Sequence, residues 1–371
     1  MVDLPNVAII RYVACSLGNH QTDKSITIPA EMITDFEITY PTNISSVYGS
    51  VTFDGMFDFE KSIGAGSDLV LTILYDDAFG ERTFREFAVT NISKRRDGQI
   101  TSVTLFLQDQ VSYIMSKTHI PWNFKEITPK ELYNKVYDKY IKEKVVNETK
   151  FICNEEIKLK NFCVPANKSF WEYFEWQLNI NNLMIIQTRR TIEIINRDKV
   201  KDSDVVKSDI EYAELLHRDM PNKIYEYKKL DEDNNQKPAR TQLMAFNPET
   251  KTFKYMDNNA KDIGLDEKEQ PDYGYKATVL PYLDDNYQKY KNNTMFQNSV
   301  GLEIITPACF RVFNKFVGIK VKVTSTNPNY DERAKGLESD SGEYVVVGFT
   351  DKLINSRWLV TRSHVTRLKN K

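Results

Sequence analysis

Two stretches of this chain can be laid on each other, and that pairing constrains the fold more than anything else in it. "FAVTNISKRR" (Phe87 to Arg96) matches "YVVVGFTDKL" (Tyr344 to Leu353): Phe87 falls on Tyr344, Val89 on Val346 and Ile92 on Phe349. Each is followed by a polar turn and then by a Thr-containing alternating strand, "ITSVTLFL" or "WLVTRSHVTRL". Any two amphipathic hairpins look somewhat alike, but these both stand at the end of a β-rich block. A repeat in equivalent positions argues for duplication. The expectation is two similar β-barrels, the second closed by the terminal hairpin.

The rest of the first block agrees. "SITIPAEM" and "DFEITYP" alternate, "SSVYGSVTFDGMFDFEK" follows, and "DLVLTILYDD" is an apolar run of strand length. Asp97-Gly98 marks a tight hairpin turn. The texture changes at Ile120-Pro121. Thr128, Pro129 and Glu131 spell a capping box with Pro at the first helical position. Leu132, Tyr133, Val136, Tyr137, Tyr140 and Ile141 then fall on one helical face. Ser169 and Glu172 frame a second helix, "SFWEYFEWQL", and "NNLMIIQT" with "RTIEIINR" reads as a hairpin. A small α/β unit is thus set after the first block.

From Asn222 the pattern returns to β, with "NKIYEYKKL", "TQLMAFNPETKTFKYMD" turning at Asn247-Pro248, "GLEIITPACF", "VGIKVKVTS" and the closing hairpin. The polar run at 257–272 reads as exposed loop and "DDNYQKYKNNTMFQNS" as a short solvated helix. The fold class expected is mainly β with an α+β insertion. Residues 1–116 form a first barrel, 117–207 an α/β domain, and 208–371 a second barrel interrupted by an excursion at about 231–300. The loop at 325–342 is far longer than a tight turn needs. Lengthening a loop costs only about 0.6 kcal/mol per doubling, so a tolerated insertion and an assembly arm both fit; in the second case Tyr330 and Arg333 are its anchors, as Tyr and Arg concentrate interface energy.

Composition removes several function classes. Lys+Arg 50 against Asp+Glu 52 gives a net charge of −2, without the basic excess of a surface that holds nucleic acid. The start, "MVDLPNVAIIRYVACSLGNH", has no basic n-region or long apolar core, and no segment reaches membrane-spanning length; the expectation is a protein made in a cytoplasm. Cys15, Cys153, Cys163 and Cys309 form no C-x-x-C pair and are expected reduced and mostly buried. The four histidines are dispersed, so neither a metal nor another cofactor is expected. "SIGAGSD" (Ser62 to Asp68) lacks phosphate-loop spacing and reads as a turn. Glu155-Glu156 and Asp284-Asp285 are adjacent acids in polar stretches. No catalytic residue is nominated.

The order of parts resembles the baseplate hub proteins of contractile-tailed phages. "SSVYGSVTFDG" running into "DLVLTILYDD" is similar to the family's first barrel, and "VPANKSFWEYFEWQLNINNLMIIQ" to its second-domain helix. "SGEYVVVGFTDKL" is similar to the final hairpin shared with the needle-base proteins of type VI secretion. The resemblance implies a homotrimer whose two barrels per chain make a pseudo-sixfold ring. Such a ring matches a hexameric tail tube on one side and a trimeric spike on the other, and lets DNA through unbound. It places the chain in the virion's tail baseplate, after synthesis in the host bacterial cytoplasm, beside other baseplate proteins and without enzymatic activity. Two other classes stand beside it. One is a peptidoglycan-cleaving enzyme, for which 117–207 is the available host segment. The other is a glycan- or receptor-binding module built on Trp122, Trp171, Trp176 and Trp358.

Overall fold

The computed structural model describes residues 13–19, 22–41, 46–55, 59–64, 68–76, 82–97, 100–145, 149–188, 191–198, 206–213, 223–224, 226–230, 241–247, 251–257, 276–280, 301–307, 318–324, 342–354 and 358–367. The first block comprises β1 (Val13–Asn19), β2 (Lys24–Ile28), β3 (Ile33–Pro41), β4 (Tyr48–Asp54), a one-turn α1 (Phe59–Ile63), β5 (Leu69–Asp76), β6 (Arg82–Asp97) and β7 (Ile100–Asp109). Hydrogen bonding orders its strands β2-β1-β5-β6-β7-β4-β3. The two end strands are consecutive in sequence, joined through a short 3-10 turn at Ala30–Met32, so this corner curls the sheet round. Inward residues such as Leu17, Phe36, Ile38, Val51, Phe53, Leu71, Ile73 and Leu105 are fully buried, the alternation that one wet face and one dry face require.

The second block holds β13 (Val206–Ala213), β14 (Lys223–Ile224), β15 (Glu226–Leu230), β19 (Gly301–Pro307), β20 (Gly318–Thr324), β21 (Gly342–Ile354) and β22 (Trp358–Arg367). Its order is β14-β13-β20-β21-β22-β19-β15. Taken in chain order, this is the connectivity of the first block strand for strand. The pairings of the last five strands keep their antiparallel sense. The first strand does not: β13 runs parallel to β14 and β20, where β1 runs antiparallel to β2 and β5. The likeness extends to a defect. The register slips between Val89 and Asn91 in β6 and between Val346 and Gly348 in β21, which are equivalent positions in the hairpin alignment. Bulges are designed features of a strand, and a shared one fixes the alignment residue by residue.

The blocks do not stand apart. β3 pairs antiparallel with the second half of β21, from Gly348↔Pro41 to Lys352↔Glu37, and so joins them into one fourteen-stranded sheet over a single apolar core. Between them lies the α/β unit: α2 (Gln110–Lys117), β8 (Asn123–Ile127), α3 (Pro129–Val136) running into a π turn at Tyr137–Ile141, β9 (Lys150–Cys153), β10 (Leu159–Cys163), α4 (Phe170–Ile180), β11 (Leu183–Thr188) and β12 (Thr191–Asn196). Its own core gathers Leu132, Tyr133, Phe162, Phe170, Trp171 and Phe174. Strand β11 joins the two cores: Leu183 and Ile185 face the helical one, Met184 and Ile186 the barrel one. This explains its unbroken apolar run, since a strand buried on both faces cannot alternate. The excursion between β15 and β19 contributes β16 (Thr241–Asn247), β17 (Thr252–Asp257) and β18 (Lys276–Leu280) as a small sheet; β16 and β17 form the expected hairpin.

Both capping boxes form. The Thr128 and Ser169 hydroxyls accept from the Glu131 and Glu172 amides at 3.2 and 3.3 Å, and each glutamate returns a bond to its cap's amide. Those backbone bonds hold both glutamate carboxyls below their usual range. Because Ser169 is buried, at 5% exposure, Ser169→Ala is expected to cost about 1 kcal/mol, read as a lower urea midpoint at constant m. An unchanged midpoint would remove the cap from the stability account.

Two expectations need correction, and one helix has no counterpart in the sequence reading. The segment 110–117 is helical, capped by Asp109, whose carboxylate accepts from the Ser112 amide at 3.1 Å. "SIGAGSD" is not simply a turn, because it begins as the end of α1 and leaves it through Gly64 at φ +89°. Cys15 is buried, its thiol pushed up to about 12 by burial, but Cys153 is half-buried and Cys163 exposed. The possible 284–299 helix, Cys309 and the 325–341 segment lie outside the described residues.

Candidate functional site

The place where the two blocks meet is the richest in polar side chains that have been drawn inside. β3 presents Tyr40, β5 presents Tyr75, β21 presents Asp351 and β22 presents Thr361, and all four are at most 3% exposed. The Tyr40 and Tyr75 hydroxyls lie 2.9 Å apart. Tyr75 donates to Asp351 Oδ2 at 3.1 Å, and Thr361 donates to Asp351 Oδ1 at 2.7 Å. Tyr40 also stacks on Phe349 with ring centroids 4.3 Å apart. One carboxylate therefore ties hydroxyls from both blocks across the seam.

Arg85 of β6 extends the cluster toward the α/β unit. It is 2% exposed, its guanidinium lies 5.0 Å from the Tyr40 ring centroid, and Nη2 stands 3.8 Å from Asp109 Oδ2. Asp109 also accepts from Gln187 Nε2 at 2.8 Å, and Gln187 Oε1 accepts from the Val47 amide at 2.9 Å. Asp109 thus caps α2, pairs with Arg85 and holds the tip of β11 at once, which fixes the α/β unit to the first block. The chemistry of this buried cluster is cohesion: polar groups that pair inside favour one arrangement of the elements that carry them, although Arg85 Nη1 is buried without a hydrogen-bond acceptor.

Burial pushes the Tyr40 phenol up, with Arg85 opposing. It pushes Tyr75 well above the usual value, with Tyr40 and Asp351 adding to it. Folded values above the unfolded one contribute stability that is complete below about pH 10 and is lost as pH rises beyond it. Alkaline titration at 295 nm is expected to leave these two phenols un-ionised until far-UV circular dichroism collapses. Ionisation of every tyrosine near pH 10 with the fold intact would contradict the burial.

The opposite, wet face carries hydroxyls and matched charges. On the seam Thr39 and Thr350 lie 3.1 Å apart and Lys352 contacts Glu37 at 2.8 Å; within the blocks Thr52 and Thr104 lie 2.9 Å apart and Arg362 stands 3.7 Å from Glu303. Large apolar side chains on the outer surface are Tyr48, Phe84, Phe106 and Trp176.

The site residues nominated from sequence, Tyr330 and Arg333, lie outside the described residues. Trp171 is core, Trp122 packs between Phe124 and Tyr140, and Trp176 is exposed; Trp358 begins β22. Glu155 accepts from the Asn196 amide at 3.3 Å, and Glu156 is exposed. Among the described residues no three His, Cys, Asp or Glu side chains gather as a metal site, and no helix is long and apolar enough to cross a membrane.

No protein-family model matches the sequence, and no curated protein matches it. Likeness appears in the fold. The tail protein from Neisseria meningitidis MC58 superposes with a TM-score of 0.59 at 11% identity over 96% of each chain. The 43 kDa tail protein of prophage MuSo2 from Shewanella oneidensis gives 0.60 at 11% identity, over 95% of this chain and 98% of that one. A chain of the Francisella PdpA–VgrG complex gives 0.58 at 12% identity and covers 99% of this chain, which spans 59% of it. The fold is that of these tail proteins along nearly the whole chain, as the order of parts in the sequence implies.

Proposed function

We propose that this chain is the central hub of a contractile-tail baseplate. Three copies form a ring of six similar β-blocks that joins a hexameric tail tube to a trimeric spike and leaves a channel for DNA. The observation that carries the reading is the doubled strand order: one chain supplies two equivalent blocks, already docked edge to edge through β3 and β21. Repeating one heterologous contact makes a closed ring when the rotation fits, and two blocks per chain let threefold material meet a sixfold partner. The fold supports a tail role, and one protein of that fold is solved in complex with a partner, PdpA with VgrG. The hydroxyl-rich wet face, with Lys352 paired to Glu37 and Arg362 close to Glu303, suits a wall that DNA slides past.

In this reading 1–116 and 208–371 are the two tube domains and 117–207 the α/β domain. The role is mechanical and not enzymatic, the location is the virion's tail baseplate, and the partners are tube, spike and neighbouring baseplate proteins. Light scattering on the purified protein tests it: the expected mass is three times 43.2 kDa, and a chain that stays monomeric at every concentration, alone and with tube and spike, overturns it. The 325–342 loop is its assembly arm, anchored by Tyr330 and Arg333. Replacing 327–341 with a short Gly-Ser turn should leave the monomer's unfolding midpoint unchanged and lower the yield of assembled tails; normal yield refutes the arm.

A further inference from the structure

The two blocks differ at one place where the duplication says they should match. In the second block, one edge of the long strand β21 is covered by β20 as far as Val345 and then by β3 from Gly348 to Lys352. In the first block, β5 covers the same edge of β6 as far as Ala88. Beyond that point no strand is paired with it among the described residues. Burial follows the difference. Phe349 and Leu353 of β21 are 3% and 7% exposed, whereas Ile92, their first equivalent in β6, is half-buried and Arg96, the second, exposed.

The strand absent from β6 is the counterpart of β3, and the second block owns that counterpart. It is β15, paired among the described residues with β19 alone. The register transfers through the neighbouring strands. Glu37 pairs with Ser50 and Ser50 with Phe106, while Lys228 pairs with Glu303 and Glu303 with His364. Phe106 and His364 face the equivalent bulge residues Asn91 and Gly348, so Lys228 stands where Glu37 stands.

We propose that β15 of one copy adds to the open edge of β6 in a second copy, antiparallel and in the register that β3 keeps on β21. The inference rests on the ring reading and names the junction that closes it. Strand addition supplies main-chain hydrogen bonds, and it covers two edges that would otherwise invite unspecific pairing. The charges set its strength. Within a chain Lys352 contacts Glu37 at 2.8 Å; between chains the equivalent residues are Arg95 and Lys228, both exposed. Like charges directly opposite oppose pairing. The seam within the chain is permanent, and the seam between chains is the weak one, strengthened by salt and completed when tube or spike holds the copies together.

Two variants test this on the full-length protein by sedimentation across a concentration series at low salt. Lys228→Glu recreates the within-chain pair between chains, and Arg95→Glu makes a pair with the charges exchanged. Each is expected to tighten self-association about threefold to tenfold per junction, and the double variant to return to the parent's behaviour. Ser93→Cys with Leu230→Cys, in a background carrying Cys153→Ser, Cys163→Ser and Cys309→Ser, is expected to give a disulfide-linked ladder ending at three chains. Oligomers that form but ignore both charge reversals and do not cross-link overturn the β15–β6 junction and leave the ring standing. A monomer throughout the whole series, in every variant, overturns both.

Discussion

Gly49→Ala is expected to abolish the folded state or to leave it too unstable to purify. Gly49 lies in β4, between Ile38 of β3 and Leu107 of β7. A Cβ at this position would lie 2.2 Å from the Glu37 carbonyl oxygen and 3.0 Å from the Ile38 Cα. Both obstacles are backbone, so no rotamer change relieves the clash and β3 itself has to move. β3 is the strand that joins the blocks, and displacing it disturbs the β3–β4 ladder and the β3–β21 seam together. Overpacking a core ordinarily costs about 1–3 kcal/mol, and rupture of a seam adds to that against a total stability of about 5–15 kcal/mol. The equivalent position in the second block is Leu302, so the close approach belongs to the first block and not to the topology. Urea unfolding of Gly49→Ala beside Thr52→Ala, a change on the wet face of the same strand, checks it. A Gly49→Ala midpoint within error of the parent would mean that β3 yields freely.

How much of this could be read from residues alone differs by element. The capping boxes at Thr128 and Ser169 were legible because each is a local device whose parts lie three residues apart. The paired hairpins were legible because duplication repeats a pattern, and even the bulge sits where the alignment puts Val89 on Val346. Helix α2 was not, since "DQVSYIMSK" continues a strand with β-branched and aromatic residues and only Asp109 announces a start. The parallel course of β13 on β20 and the pairing of β3 with β21 join segments far apart in the chain, and no local pattern encodes them.

The polar cluster was missed for another reason. Arg85, Tyr40, Tyr75 and Asp351 look like the wet side of amphipathic strands until the phase is counted. Phe349, Asp351 and Leu353 share one face by period two, and that face is the dry one. A charged residue in dry phase is the signal that would have found the site.

Asp351→Ala is the second large effect expected, at about 3 kcal/mol or more. The carboxylate is 0% exposed and accepts from Tyr75 and Thr361 at 3.1 and 2.7 Å, so truncation takes an acceptor from two hydroxyls that water cannot reach. Removing one member of a buried charged and hydrogen-bonded group typically costs about 3–5 kcal/mol, because the remaining groups stay buried without compensation. Arg85 keeps its charge in the same interior, balanced thereafter by Asp109 alone among the carboxylates here. Asp351→Asn preserves the shape and one acceptor, and is expected to cost about half as much, near the 1–3 kcal/mol of a single unsatisfied group. The network also fixes how the losses combine. Thr361→Val should be costly in the parent and nearly free in Asp351→Ala, a coupling of about 1 kcal/mol or more of the kind contacting residues show. Because these bonds tie β3 and β5 of one block to β21 and β22 of the other, the lost stability should appear first at the seam, as faster amide exchange along residues 348–352 than along β4. Additive losses, or uniform exchange across both blocks, would show that Asp351 is merely buried and that the seam is held by its backbone ladder and apolar contacts.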